Sequence, residues 1–227
     1  MPDPTYADLA KMIDHSLLQP VLTDAELEAG CRLAREYEVA SVCIKPYAVR
    51  QAAEWLRGST VAVGTTIGFP QGGHTTKVKV FEAEQALADG AVELDMVVNI
   101  GKVLGKDWRA VADDVQAVVA VAHRGKALVK VIFENCFLKD EHKEQLCRIC
   151  GEVGADFVKT STGYGDGGAT DDDLKLMRRC APPKVQVKAA GGVRTLDRLL
   201  AVRALGVSRV GATATKVILD EARQRFK

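Results

Sequence analysis

LVKVIF, residues 128–133, is followed at near-constant intervals by DFVKTS, 156–161, and VQVKAA, 185–190. Each run places a lysine directly after a valine, and Lys130, Lys159 and Lys188 are separated by 29 and 29 residues. Short apolar, β-branched runs read as buried strands, and such an interval has room for one crossover helix and two loops. The same reading extends outward to Ile13–Leu18, Ser41–Lys45, Val61–Ile67, Val92–Val98 and Ser208–Ala212, which makes eight runs. The intervals carry helix signals. Thr23 with Glu26, and Thr170 with Asp173, form capping boxes ahead of apolar periodic segments, and Arg194–Leu205 is amphipathic and closed by Gly206. Eight strand–helix alternations without a linker predict an α/β, single-domain (β/α)8 TIM barrel over residues 1–227. A doubly wound open sheet is the rival, but Gln19 and Pro20 follow the first run where a glycine-rich nucleotide turn would stand.

Composition narrows the function. The 31 Lys+Arg against 30 Asp+Glu leave a formal net charge of +1, without the excess positive charge that nucleic acid or an anionic membrane requires. Neither partner is expected. With 47% hydrophobic and 27% charged residues, the chain suits a folded core rather than disorder. The longest aliphatic run, Ala117–Ala122, is far short of the roughly 20 apolar residues that span a bilayer. The opening MPDPTYADLAKMIDHS lacks a cationic start with an apolar core, so a cytoplasmic protein is expected. Six scattered cysteines do not make a disulfide scaffold, and Cys147 with Cys150 is a lone C-x-x-C in a helix-like stretch; no metal or other cofactor is expected. His74, His123 and His142 lack ligand spacing and read as surface or loop residues, and Trp55 and Trp108 as packing.

Strand parity decides where the lysines point. Val129, Val131 and Phe133 share one face, suited to outer helices, which turns Lys130 inward; Leu94, Met96 and Val98 likewise turn Asp95 inward. Three lysines in register and a carboxylate then converge. Desolvation and neighbouring cations both lower a lysine pKa from its ordinary value of about 10.4, and a free amine can attack a carbonyl to form an imine that accepts electrons during carbon–carbon cleavage. The competing reading is that the lysines reach a rim and pair with surface carboxylates. Glycines and hydroxyls close the last strands: Thr160-Ser161-Thr162-Gly163, Gly191-Gly192 and Gly211-Ala212-Thr213. Backbone amides exposed by glycine, with late barrel loops, suit a phosphate.

The motifs Asp14–Leu18 (DHSLL), Glu93–Asn99 (ELDMVVN), Val129–Glu134 (VKVIFE), Phe157–Gly163 (FVKTSTG) and Val187–Thr195 (VKAAGGVRT) together resemble the 2-deoxyribose-5-phosphate aldolase family, in order and across nearly the whole chain. That resemblance implies a metal-free class I aldolase cleaving 2-deoxy-D-ribose 5-phosphate to acetaldehyde and D-glyceraldehyde 3-phosphate. It implies Lys159 as the Schiff-base lysine, Lys188 as the second lysine that lowers its pKa, and Asp95 as the acidic partner in proton transfer. Asp14, Cys43 and Lys130 match residues lining the pocket, and Gly163, Gly191, Gly192, Gly211 and Thr213 match phosphate-holding positions. A homo-oligomer, dimer or larger, is also implied. The chain departs from the pattern twice. It ends Arg225-Phe226-Lys227 where some members carry a proton-shuttling tyrosine, and it has Gly211-Ala212-Thr213-Ala214 where a serine-rich turn often occurs. On the residues alone, another phosphosugar barrel or a barrel that binds a sugar phosphate without turnover stays open.

Overall fold

The structure is a computed structural model and describes residues 3–226. Eight parallel strands close in sequence order: β1 (Ile13–Leu17), β2 (Ser41–Ile44), β3 (Ala62–Ile67), β4 (Glu93–Val97), β5 (Leu128–Ile132), β6 (Phe157–Lys159), β7 (Gln186–Ala190) and β8 (Arg209–Ala212). Each boundary falls within two residues of the run that predicts it. Helices α2 (Asp24–Glu36), α3 (Val49–Trp55), α4 (Thr76–Ala88), α6 (Trp108–Arg124), α7 (Asp140–Val153), α8 (Asp171–Cys180), α9 (Leu196–Ala204) and α10 (Thr215–Arg225) follow the eight strands in turn. Two short helices, α1 (Tyr6–Ala10) and α5 (Ile100–Leu104), stand before β1 and between β4 and α6. No helix among the described residues is long and apolar enough to cross a membrane.

The helix ends follow the local chemistry. At α2 the Thr23 hydroxyl accepts from Glu26 N while the Glu26 carboxylate accepts from Thr23 N at 2.7 Å, a complete capping box. At α8 only half of the device forms: Thr170 accepts from Asp173 N, but the Asp173 carboxylate is drawn 2.5 Å from Lys143 Nζ on α7 instead. A charged partner on the neighbouring helix outcompetes the neutral amide. Gly206, with φ of +86°, turns the chain after α9 in the left-handed region that glycine enters without steric cost.

Strand parity splits the residues as the period of two requires. Val42, Leu94, Met96, Val131, Val187 and Val210 are fully buried in the layer between strands and helices, where each such side chain contributes about 1.5–3 kcal/mol. The opposite parity fills the interior with Asp14, Cys43, Asp95, Lys130, Lys159 and Lys188. One expectation needs correction. Lys159 and Lys188 are direct register partners, but Lys130 pairs with Phe157, two residues below Lys159. Equal sequence spacing does not make equal height, because closing a barrel imposes a stagger between strands. His142 also departs from expectation: it is buried on α7, its ring 6.2 Å from that of Trp108 on α6, rather than lying at the surface.

Candidate active site

A cavity of about 170 Å³ opens at the carboxyl ends of the strands, the end where the βα loops of a barrel build their sites. Asp14, Cys43, Lys159 and Lys188 form its floor, and Gly163, Gly191, Gly192, Gly211 and Thr213 line its wall. Gly163, Gly191 and Gly192 have φ of +89°, +83° and +90°, a backbone that side-chain-bearing residues rarely adopt. At Gly191 a Cβ would also lie 2.8 Å from Gly168 Cα, so this loop crossing requires two bare backbones. Ser16, Tyr164 and Arg194 line the cavity as well, and were not singled out from sequence. The Tyr164 hydroxyl donates to Leu18 O at 2.8 Å, tying the loop after β6 to the loop after β1.

Beneath the floor the charges interlock. Lys159 Nζ lies 2.7 Å from Asp95 Oδ2, and Lys188 Nζ lies 2.7 Å from the same oxygen and 2.5 Å from Asp14 Oδ2. Lys130 does not line the cavity; its Nζ sits under it, 2.5 Å from Glu93 Oε2, 3.0 Å from Asp14 Oδ2 and 3.1 Å from Asp95 Oδ1. The expected pocket-lining role of Lys130 is thus corrected, for the same reason of stagger. Asp95 likewise is fully buried and does not line the cavity, whereas the two lysines that contact it do. Arg209 completes the group: its Nε donates to Asp14 Oδ1 at 2.6 Å, and its Nη2 donates to Glu93 Oε2 at 2.8 Å and to Ser41 Oγ at 3.0 Å. Glu93 and Arg209 were missed in the sequence. Parity held the signal, since Glu93 stands two before Asp95 and Arg209 two before Gly211 on their strands.

Four cationic side chains therefore face three carboxylates in a space almost closed to water. Burial pulls the Lys159 pKa below the ordinary lysine value and Lys188 adds to that pull, against the opposing attraction of Asp95. Burial acts the same way on Lys188, but the carboxylates of Asp14 and Asp95 outweigh it and the net direction is up. Lys130 also stays above the ordinary range, because Asp14, Asp95 and Glu93 together overcome its burial. Asp14 and Asp95 are held below the carboxylate range by surrounding cations, in spite of burial. Of the three lysines, Lys159 alone holds its proton less tightly than an ordinary lysine. Cys43 is no second nucleophile: burial, then Asp95, pushes its thiol up to about 11, and the thiolate is the reactive form. His15 is neutral, lowered to about 4 by burial, with Nδ1 2.8 Å from the Thr215 hydroxyl.

The fold and the sequence have known counterparts. Residues 8–213 match the model of the DeoC/LacD family aldolases. A deoxyribose-phosphate aldolase of Rhodopirellula baltica is 57% identical over 226 residues, covering 100% of this chain and 94% of the relative. One from Thermococcus gammatolerans is 47% identical over 218 residues, covering 95% and 97%. Among known structures, the tetrameric deoxyribose phosphate aldolase of Aeropyrum pernix superposes with a TM-score of 0.90 at 29% identity, covering 97% of this chain and 93% of that one. Barrel and sequence agree, and the chain belongs to the DeoC/LacD family of aldolases.

Proposed function

We propose that this aldolase cleaves 2-deoxy-D-ribose 5-phosphate to acetaldehyde and D-glyceraldehyde 3-phosphate through an imine on Lys159. The observation that carries this reading is the shared carboxylate: Lys159 opens into the cavity, yet the oxygen that holds it also holds Lys188. A lysine so placed gives up its proton more readily than an ordinary lysine, beside one that holds its proton more tightly.

The Lys159 amine adds to the C1 aldehyde of the open-chain sugar, and loss of water gives a protonated imine. Removal of the O3 proton turns C3–O3 into a carbonyl while the C2–C3 electron pair moves toward the imine nitrogen, leaving an enamine and releasing D-glyceraldehyde 3-phosphate. Protonation at C2 and hydrolysis free acetaldehyde and restore the amine. Lys188, in contact with both Asp95 and Asp14, and Asp95 carry the proton transfers. Asp14 and Cys43 shape the floor, and Lys130 holds the carboxylates from below. The phosphate is placed against Gly163, Gly191, Gly192, Gly211 and Thr213, where left-handed glycines expose amides and α10 starts at Thr215 without a side-chain cap.

Acetaldehyde with borohydride tests the assignment: intact mass should rise by one ethyl group, peptide mapping should place it on Lys159, and Lys159→Leu should remain unlabelled. No adduct on the folded native protein, or an equal one in that variant, would sink it. Assembly into a homo-oligomer is part of the same proposal, supported by the tetrameric relative; a monomeric mass by light scattering would contradict it.

A further inference from the structure

The barrel interior takes a titratable side chain from every strand except β3: Asp14 from β1, Cys43 from β2, Glu93 and Asp95 from β4, Lys130 from β5, Lys159 from β6, Lys188 from β7 and Arg209 from β8. β3 turns Gly64 and Thr66 toward the same space. Arg209 and Glu93 are the first residues of their strands, at the end of the barrel opposite the cavity, and neither lines it. Arg209 nevertheless grips two of the three carboxylates, Asp14 and Glu93, with its guanidinium 5.9 Å from the Phe157 ring centroid.

We propose that Arg209 is a positioning residue for the reaction: by occupying Asp14 and Glu93 from below, it keeps a fourth cation among three carboxylates and leaves Lys159 without a carboxylate of its own. The shortest lysine contacts show what would happen without it. Lys130 sits 2.5 Å from Glu93, Lys188 2.5 Å from Asp14 and Lys159 2.7 Å from Asp95. Three lysines and three carboxylates would then pair one to one, and Lys159 would rest as a compensated ammonium. Arg209 prevents that pairing because a guanidinium stays charged and bridges two anions with its fixed fork of donors. The upward shift on Arg209 itself, from Asp14 and Glu93 against burial, fits this role.

The inference rests on Lys159 being the imine-forming amine, and its test separates the two ideas. The pH dependence of imine trapping is measured with acetaldehyde and cyanoborohydride on the whole protein. Arg209→Met removes one positive charge, so the midpoint should rise by about one pH unit or more; Arg209→Lys should stay nearer the native midpoint. Glu93→Gln removes one negative charge and should lower it. The double variant Arg209→Met/Glu93→Gln again has one cation in excess and should return toward the native value. A structural role would lower the melting temperature of each single variant with no opposed shifts and no return in the double. Unmoved midpoints in Arg209→Met and Glu93→Gln overturn the inference; if Arg209→Met fails to fold, the direction of the Glu93→Gln shift decides. Absence of any adduct in the native protein would instead defeat the Lys159 reading itself.

Discussion

Lys79 and Lys159 are both buried lysines held by an aspartate, and they do opposite things. Lys79 on α4 is fully buried, its Nζ 2.5 Å from Asp114 Oδ2 on α6 and 2.9 Å from Val97 O, while Asp114 Oδ1 accepts from the Thr76 hydroxyl at 2.8 Å. One cation meets one carboxylate, and the remaining acceptor is satisfied. At Lys159 one carboxylate oxygen is divided between two lysines, and Asp95 Oδ1 makes no hydrogen bond although Lys130 Nζ is 3.1 Å away. The difference teaches that a buried ion pair is by itself a packing device, whereas a mismatch in the count of buried charges stores reactivity. A balanced pair has no group for which losing a proton is favourable; an unbalanced cluster has one.

The largest effect expected from breaking the mismatch is at Lys159. Lys159→Leu should lower kcat by on the order of 10⁴-fold or more, as loss of a nucleophile does, while leaving the melting temperature equal or higher, because a surplus buried cation has been removed. The sign of its pH dependence follows from the depressed pKa. Between the folded and unfolded values the unfolded chain binds the extra proton, so native stability rises with pH there. The stability advantage of Lys159→Leu should therefore shrink from neutral toward alkaline pH. A melting difference independent of pH would remove the mismatch from the account.

Next in size is Lys188→Leu, expected to reduce kcat by about 10²–10⁴-fold through lost proton transfer. Because Lys188 helps hold the Lys159 pKa down, residual imine formation should also require higher pH; an unchanged profile would contradict the coupling. On the other side of the comparison, Lys79→Met leaves Asp114 buried and uncompensated. It should cost about 3–5 kcal/mol of stability yet leave kcat/KM unchanged below its melting transition. Lys79→Met/Asp114→Leu should recover most of that stability. Loss of activity in a still-folded Lys79→Met would mean that this pair reaches the chemistry after all.

How far such distinctions are visible in sequence depends on their range. Alternation within a strand is local, so the inward turn of Asp95, Lys130 and Lys188 and the outward turn of Leu94 and Val131 follow directly from a period of two. The loop glycines are local too, since Gly163 and Gly191 stand at strand ends where the chain must turn. Balance is not local. Asp14 and Arg209 meet across 195 positions and Lys130 and Asp14 across 116, and no spacing rule predicts which oxygen faces which nitrogen. Height within the barrel is lost for the same reason, because stagger belongs to the closed sheet and not to any one strand. That is why Lys130, which its 29-residue interval sets in register with Lys159 and Lys188, lies beneath the floor in the fold.

The smallest expected effect is at Cys43, and it sharpens the comparison from inside the site. This thiol shares Asp95 and Lys188 with Lys159 and has Lys159 itself beside it: Asp95 raises its pKa after burial, and Lys159, Lys188 and Lys130 pull it down without prevailing. A thiol at about 11 is neutral at pH 8, so iodoacetamide should alkylate exposed Cys136 well before Cys43, and Cys43→Ser should change kcat/KM by less than about tenfold. Rapid alkylation of Cys43 in the native fold would mean that Lys159, Lys188 and Lys130 prevail at sulfur over burial and Asp95. The surplus positive charge of the cluster would then act on the thiol instead of on the Lys159 nitrogen.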